Sequence, residues 1–245
     1  MQDITDIILL TYNRLEYLKQ TLSYLFERTR SAYRLHVIDD ASGEGNAEYL
    51  YGLYRERRLE TLLLRGQRLG AMIGENQATW LSFSPIVVLT PDDSLCPDVE
   101  PDWLARGLAA MEARPKLGVL SLNINEPQTR RRPYEADDEV TYCKCVGPFA
   151  FVRRELLVGR PFAHSRANQS PTFILTRCIW ANADGWKVGY LTETFTQHIG
   201  RMSVAQGRLL PYRGPFWEPV DGKTLRIEER YIWRPGKGGT GETQG

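Results

Sequence analysis

The chain has 245 residues, with 31 Lys plus Arg against 30 Asp plus Glu and a formal net charge of +1. That balance excludes a globally basic nucleic-acid binder and an acidic tail protein, since both depend on a strong field of one sign. With 42% hydrophobic and 25% charged residues the composition is ordinary for a globular chain, of a length suited to one large α/β domain or two small ones.

Ile7-Ile8-Leu9-Leu10 is a branched apolar run without polar alternation, the pattern of a strand buried on both faces of a parallel sheet. Asn13 follows as a turn or N-cap residue. Leu15, Leu18, Leu22, Leu25 and Phe26 recur at spacings of three and four, which predicts an amphipathic helix. Residues 35–38 repeat the buried-strand pattern and stop at Asp39-Asp40-Ala41-Ser42-Gly43. A helix over 46–58 and a strand over 61–64 come next, then a helix over 70–83 weakened by Gly74. The strand over 86–89 ends at Thr90-Pro91-Asp92-Asp93, and a helix over 101–113 and a strand over 117–122 complete the alternation. Strands alternating with helices predict a parallel sheet covered on both faces, with ligands at the carboxyl ends of its strands. Both Asp pairs fall at such ends.

Residues 125–141 turn polar, with Arg130-Arg131-Arg132-Pro133 followed by Glu135, Asp137, Asp138 and Glu139, and read as a loop whose charges largely cancel. A strand over 149–152, a helix over 174–183 closed by Gly185 and a strand over 187–191 follow. Beyond Gly200 the chain is rich in Gly, Pro and Arg, so 201–245 is expected to be an irregular extension with its last ten residues disordered. The expected organisation is a single domain over 1–200, split into a nucleotide-binding half (1–122) and an acceptor-binding half (123–200). No apolar run approaches the roughly 20 residues of a membrane span. The start of the chain lacks the basic region of a secretory leader, and Cys96, Cys143, Cys145 and Cys178 lack the matched pairs of a zinc site. Reduced thiols in a cytoplasmic protein are the expectation.

The turn Thr11-Tyr12-Asn13-Arg14 holds no Gly-x-Gly-x-x-Gly, and no P-loop or Gly-x-Ser-x-Gly elbow occurs. What remains is two carboxylate pairs at neighbouring strand ends, an arrangement suited to a nucleoside diphosphate held with a hard divalent cation.

At this point the chain resembles the family 2 glycosyltransferases, which have the GT-A type fold, a Rossmann-like and mostly parallel sheet with helices on both faces. The resemblance rests on Ile7-Ile8-Leu9-Leu10-Thr11-Tyr12-Asn13-Arg14, Val37-Ile38-Asp39-Asp40-Ala41-Ser42, Val88-Leu89-Thr90-Pro91-Asp92-Asp93-Ser94, the 146–156 stretch, and Gln197-His198-Ile199-Gly200, in that order. It implies a transferase that takes a sugar from a nucleotide diphosphate sugar, UDP-sugars foremost, with Mn2+ or Mg2+ and with inversion. Carried onto this chain, Tyr12 stacks on the base, Asp40 accepts from the base edge, Asp39 supports the same turn, and Thr11, Asn13 and Arg14 belong with them to the nucleotide-sugar-binding residues. Asp92 contacts the ribose, Arg68 reaches a phosphate, Asp93 ligates the metal and His198 is a further ligand.

Two departures stand out. Thr90 replaces the first acid of the usual Asp-x-Asp, and no carboxylate occurs between Glu155 and Asp184, where the family places its general base. His164, Asp184 and Glu193 are the nearest substitutes. The missing base leaves open a protein that binds sugar nucleotides without efficient transfer, and the α/β layout leaves open a nucleotidyltransferase, against which the glycine-free first turn argues. The acceptor is open among a glycan, a protein, a small metabolite and modified nucleic acid, with 130–132, 162–170 and the Trp217 region as expected walls.

Overall fold

The computed structural model describes residues 4–124, 133–147, 149–159, 173–200, 202–205 and 208–211. The first four apolar runs form β1 (Thr5–Thr11), β2 (Tyr33–Asp39), β3 (Thr61–Leu64) and β4 (Ile86–Pro91), all mutually parallel, with β1 between β2 and β4. The uninterrupted apolar character of β1 has a direct cause. Ile7 and Leu9 pack on one face against Leu18, Leu22 and Leu25 of α1 (Leu15–Arg28), whereas Ile8 packs on the other against Ala78 of α3 (Ala71–Leu81).

The second half brings antiparallel pairing into the sheet. β9 (Ala150–Arg153) is inserted between β4 and β6 (Leu117–Ile124), antiparallel to both, and β10 (Lys187–His198) runs parallel to β6. β7 (Glu135–Ala136) and β8 (Val140–Tyr142) close one edge, and β5 (Ser94–Leu95) pairs with the far end of β10, giving ten strands on the path β3-β2-β1-β4-β9-β6-β10-β8-β7 with β5 beside it. α1, α2 (Glu44–Arg55) and α4 (Trp103–Glu112) cover one face; α3, α5 (Arg154–Gly159) and α6 (Phe173–Ala183) cover the other. No helix among the described residues is long and apolar enough to cross a membrane.

Several boundaries differ from the sequence reading. The 125–141 loop contains β7 and β8, joined by a turn in which Asp137 accepts from the N–H of Glu139 (3.0 Å) and Val140 (2.8 Å). An edge hairpin with one wet side has no apolar run to announce it. β10 continues past Leu191 to His198 through a register shift between Tyr190 and Phe195, where Asn123 Nδ2 donates to the Thr192 carbonyl at 2.8 Å. The expected irregular extension contains a hairpin of β11 (Met202–Ala205) and β12 (Arg208–Pro211). Its last ten residues, with 130–132, 162–170 and the Trp217 region, lie outside the described residues. α3 runs through Gly74 for a packing reason. An added Cβ there would stand 2.5 Å from Leu10 Cδ2, so the glycine lets the helix lie close on β1. None of the four cysteines is joined in a disulfide.

Candidate functional site

The turns after β1 and β2 are cross-linked through polar side chains. Asn13 has φ 52° and Ala41 φ 63°, left-handed conformations that expose backbone groups. The Asn13 N–H donates to Ser42 Oγ (2.8 Å) and its Oδ1 accepts from the Gly43 N–H (2.7 Å). Asn13 is thus a turn residue; Arg14 occupies the N-cap position of α1 and caps nothing with its side chain. Asp39, whose carboxyl is raised by burial, accepts from the Ser42 N–H at 2.9 Å and closes the second turn.

Asp40 ties this pair of turns to the β3–α3 connection. It accepts from the N–H of Leu69 (2.8 Å), the N–H of Gly70 (2.9 Å) and Arg65 Nη1 (2.6 Å). Arg65 also donates through Nε to Gln77 Oε1 at 2.9 Å, which fixes the guanidinium against α3. The Arg68 guanidinium lies 4.3 Å from the Tyr12 ring centroid, with its buried Nε 4.0 Å from Asp40 Oδ2. One side of the cleft therefore presents an aromatic ring backed by a cation and a carboxylate with one acceptor position left on Oδ2.

Asp92 and Asp93 stand where β4 turns into β5. Asp92 accepts from Thr11 Oγ1 (2.6 Å), the Tyr12 N–H (3.4 Å) and Arg14, while the other arm of the Arg14 guanidinium reaches Asp93 Oδ2. His198 Nε2 is 3.3 Å from the same Asp93 oxygen, and Asp93 Oδ1 is buried without a hydrogen-bond partner. The pairing of β5 with β10 sets this geometry: Ser94 is in register with His198, and the Ile199 N–H donates to the Asp93 carbonyl at 2.8 Å. A Cβ on Gly200 would stand 2.2 Å from Asp93 Oδ2, so any side chain there would displace the Asp93 carboxylate or His198. The two carboxyls are driven apart. Burial, reinforced by the neighbouring Asp93 charge, outweighs Arg14 and pushes Asp92 up to about 6. Burial also opposes the Asp93 charge, but the His198 hydrogen bond and Arg14 prevail and hold it at about 2.

Thr11, Tyr12, Asn13, Arg14, Asp39, Asp40, Arg68, Asp92, Asp93 and His198 are thus gathered at one end of the sheet. Two of the three substitutes for a general base, Asp184 and Glu193, are not. Asp184 lies beyond the end of α6, near the start of β10, roughly 35 Å of strand from His198. Glu193 is exposed on β10 at the register shift, and His164 lies outside the described residues. Sequence reasoning missed Arg65 and Gly200. Arg65 directly follows β3 and Gly200 follows His198-Ile199, but nothing local signals that either one faces an aspartate distant in sequence.

The profile of the family described as "Glycosyl transferase family 2" matches residues 6–179. The chain belongs to glycosyl transferase family 2. Among curated proteins none matches it by sequence. This family 2 member is similar to solved structures of mannosyltransferase PcManGT from Pyrobaculum calidifontis in complex with GDP-Man and Mn2+ (TM-score 0.63, 18% identity, 84% of this chain and 58% of that one). It is also similar to S. aureus TarS 1-349 in complex with UDP (TM-score 0.62, 14% identity, 80% of this chain and 60% of that one). A third likeness is to GalNAc-T7 with UDP, GalNAc and Mn2+ (TM-score 0.66, 12% identity, 83% of this chain and 44% of that one). The family 2 chain thus spans about 44–60% of the length of these structures, and the likeness shows the GT-A fold.

Proposed function

We propose that this family 2 member transfers a sugar from a nucleotide diphosphate sugar to an acceptor, assisted by Mn2+ or Mg2+. The observation that carries the reading is Asp93, with one buried oxygen left without a partner, the other beside His198 Nε2, and Gly200 leaving no side chain between them. A carboxylate and an imidazole suit a divalent cation that fills its remaining positions with phosphate oxygens and water. Among the described residues no group of three His, Cys, Asp or Glu is placed to hold a metal without such help. Bound there, the cation would offset the charge that develops on the departing diphosphate.

The chain's own groups do the rest. Tyr12 offers the base its ring face away from Arg68, the remaining Asp40 lone pair accepts a base N–H, and Asp92 faces the ribose once Arg14 turns to the diphosphate. Arg68 supplies a further cation at the phosphates. Residues 1–122 form the nucleotide half and 123–200 the acceptor half. The acceptor hydroxyl oxygen attacks the anomeric carbon with inversion as the bond from that carbon to the diphosphate breaks; the nucleoside diphosphate leaves, and the hydroxyl proton passes to water. Relatives of this fold are bound to GDP-Man in one case and UDP in others, so both nucleotides belong in the test.

A second reading has its own observation: α6 holds no carboxylate, and Asp184 is remote from His198. On that reading the protein binds sugar nucleotides and transfers slowly. Calorimetry and turnover with UDP-, GDP-, CDP- and dTDP-sugars, with and without Mn2+, separate the two. Metal-dependent binding with turnover supports transfer, binding without turnover or hydrolysis supports the second reading, and no binding refutes both. Asp93→Ala is expected to abolish metal-dependent binding in a folded protein; unchanged binding would remove Asp93 from the metal site.

A further inference from the structure

At the end of the sheet opposite this site, a cavity of about 270 Å³ opens between the amino end of β2 and the last turns of α1 and α2. It is lined chiefly by Arg34, Arg57, Arg58, Phe26, Tyr33 and Glu60, roughly 20 Å along β2 from Asp40. Its volume is below that of most organic cofactor pockets but ample for a phosphate group.

The backbone presents these arginines in an unusual way. The sequence predicts a helix to residue 58, yet α2 ends at Arg55 because Arg57 turns left-handed, with φ 58°. The Arg57 N–H donates to the Tyr54 carbonyl (3.0 Å) and the Arg58 N–H to the Leu53 carbonyl (3.0 Å), the two bonds of a Schellman turn. Glycine is the favoured residue at that left-handed position, so an arginine there keeps a side chain at the expense of backbone comfort. Arg58 spreads its guanidinium over the Phe26 ring at 3.6 Å. Arg34 gives Nε to Asp6 at 2.7 Å. No ion pair joins Arg57 or Arg58 to an acidic side chain among the described residues, whereas Arg34 is already paired with Asp6, and Glu60 is the one carboxylate in the lining. Burial pushes the Tyr33 phenol up to about 12, so it remains a hydrogen-bond donor.

Planar guanidinium forks match phosphate oxygens in geometry and charge. We propose that this cavity binds a phosphate-bearing anion through Arg57 and Arg58, as a site separate from the transferase site. Two sources share that chemistry, a soluble phosphate compound and a lipid headgroup. The second enters because exposed Phe83 gives its N–H to the same Asp6 carboxylate that holds Arg34 (2.6 Å), and Trp80, 83% exposed, is near it in sequence.

The test uses the full chain. Titration with inorganic phosphate, followed by amide NMR, is expected to move the Arg57, Arg58 and Glu60 signals saturably if the source is soluble. Co-sedimentation with vesicles of phosphatidylglycerol and phosphatidylcholine in equal parts, but not with phosphatidylcholine alone, assigns it to headgroups. Arg57→Gly frees the turn while deleting the guanidinium, so it is expected to match or exceed the parent in Tm and to bind the active probe about tenfold more weakly. Arg58→Gln serves as a second variant with the backbone unchanged. The proposal is overturned if phosphate leaves those amides unmoved and acidic vesicles fail to retain the chain, or if both variants bind as the parent does.

Discussion

Gly200 and Arg65 show how closely single atoms define the candidate site. Gly200→Ala would put a methyl 2.2 Å from Asp93 Oδ2 and 3.0 Å from His198 Nε2, so one of the two must move. Its expected effect is loss of Mn2+-dependent nucleotide binding at nearly unchanged stability, measured by calorimetry and thermal melting side by side. Parent-like binding would show that the two groups do not act together. Arg65 holds both Asp40 and Gln77. Arg65→Met removes that hold and leaves Asp40 on backbone donors alone, so base affinity is expected to fall about tenfold, while the metal response of the remaining binding persists. A fall in metal response instead would place Arg65 with the phosphates.

At the scale of elements, two glycines predict opposite outcomes. Gly107 sits where α4 crosses β9, and an added Cβ would stand 2.1 Å from the Phe151 ring, which is itself in edge contact with Trp103 at 5.8 Å. Gly107→Ala gains about 1 kcal/mol of helix propensity but incurs overpacking of about 1–3 kcal/mol against a ring with nowhere to go. A lower Tm is expected. Gly52 in α2 has no atom within 4 Å of its would-be Cβ, so Gly52→Ala is expected to gain up to about 1 kcal/mol. α4 also depends on its cap. Asp102 accepts from the N–H of Ala105 (2.8 Å), Arg30 (2.6 Å) and Ser31 (2.5 Å), and Asp102→Ala is expected to cost about 1–3 kcal/mol in chemical denaturation.

For the whole molecule, two buried carboxylates predict the acid limb of stability. Burial alone would raise Asp6 and Asp102, but hydrogen bonds from His36, Arg34 and backbone N–H groups hold Asp6 below the usual carboxylate range, and backbone and Ser31 donors do so for Asp102. A depressed folded value means that their contribution is fully present above the unfolded pKa of about 3.9 and is lost as pH falls below it. Denaturation midpoints are therefore expected to be flat between about pH 5 and 7 as far as these groups go, and to drop below about pH 4. Asp6→Asn should flatten that drop. Ligand linkage acts on the same scale: a nucleotide sugar at a hundredfold excess over its Kd should add about 2.7 kcal/mol to apparent stability.

The alternation of buried strands and amphipathic helices, the Asp pairs at strand ends and the family resemblance were legible in the sequence, because each depends on residues close together in the chain. Ile7 to Leu10 reads as a buried strand because its apolar run is short, branched and closed by the turn residues from Thr11 to Asn13, too short for a buried helix. The antiparallel insertion of β9, the β7–β8 edge and the extension of β10 to His198 were not legible. Their pairing partners are remote in sequence, and edge strands carry no apolar signature. The same reason separates the site's parts: Asp40, Asp92 and Asp93 announce themselves, whereas Arg65, Gly200 and the clasp of Arg14 on two aspartates exist only once β1, β2, β4 and β10 are packed side by side.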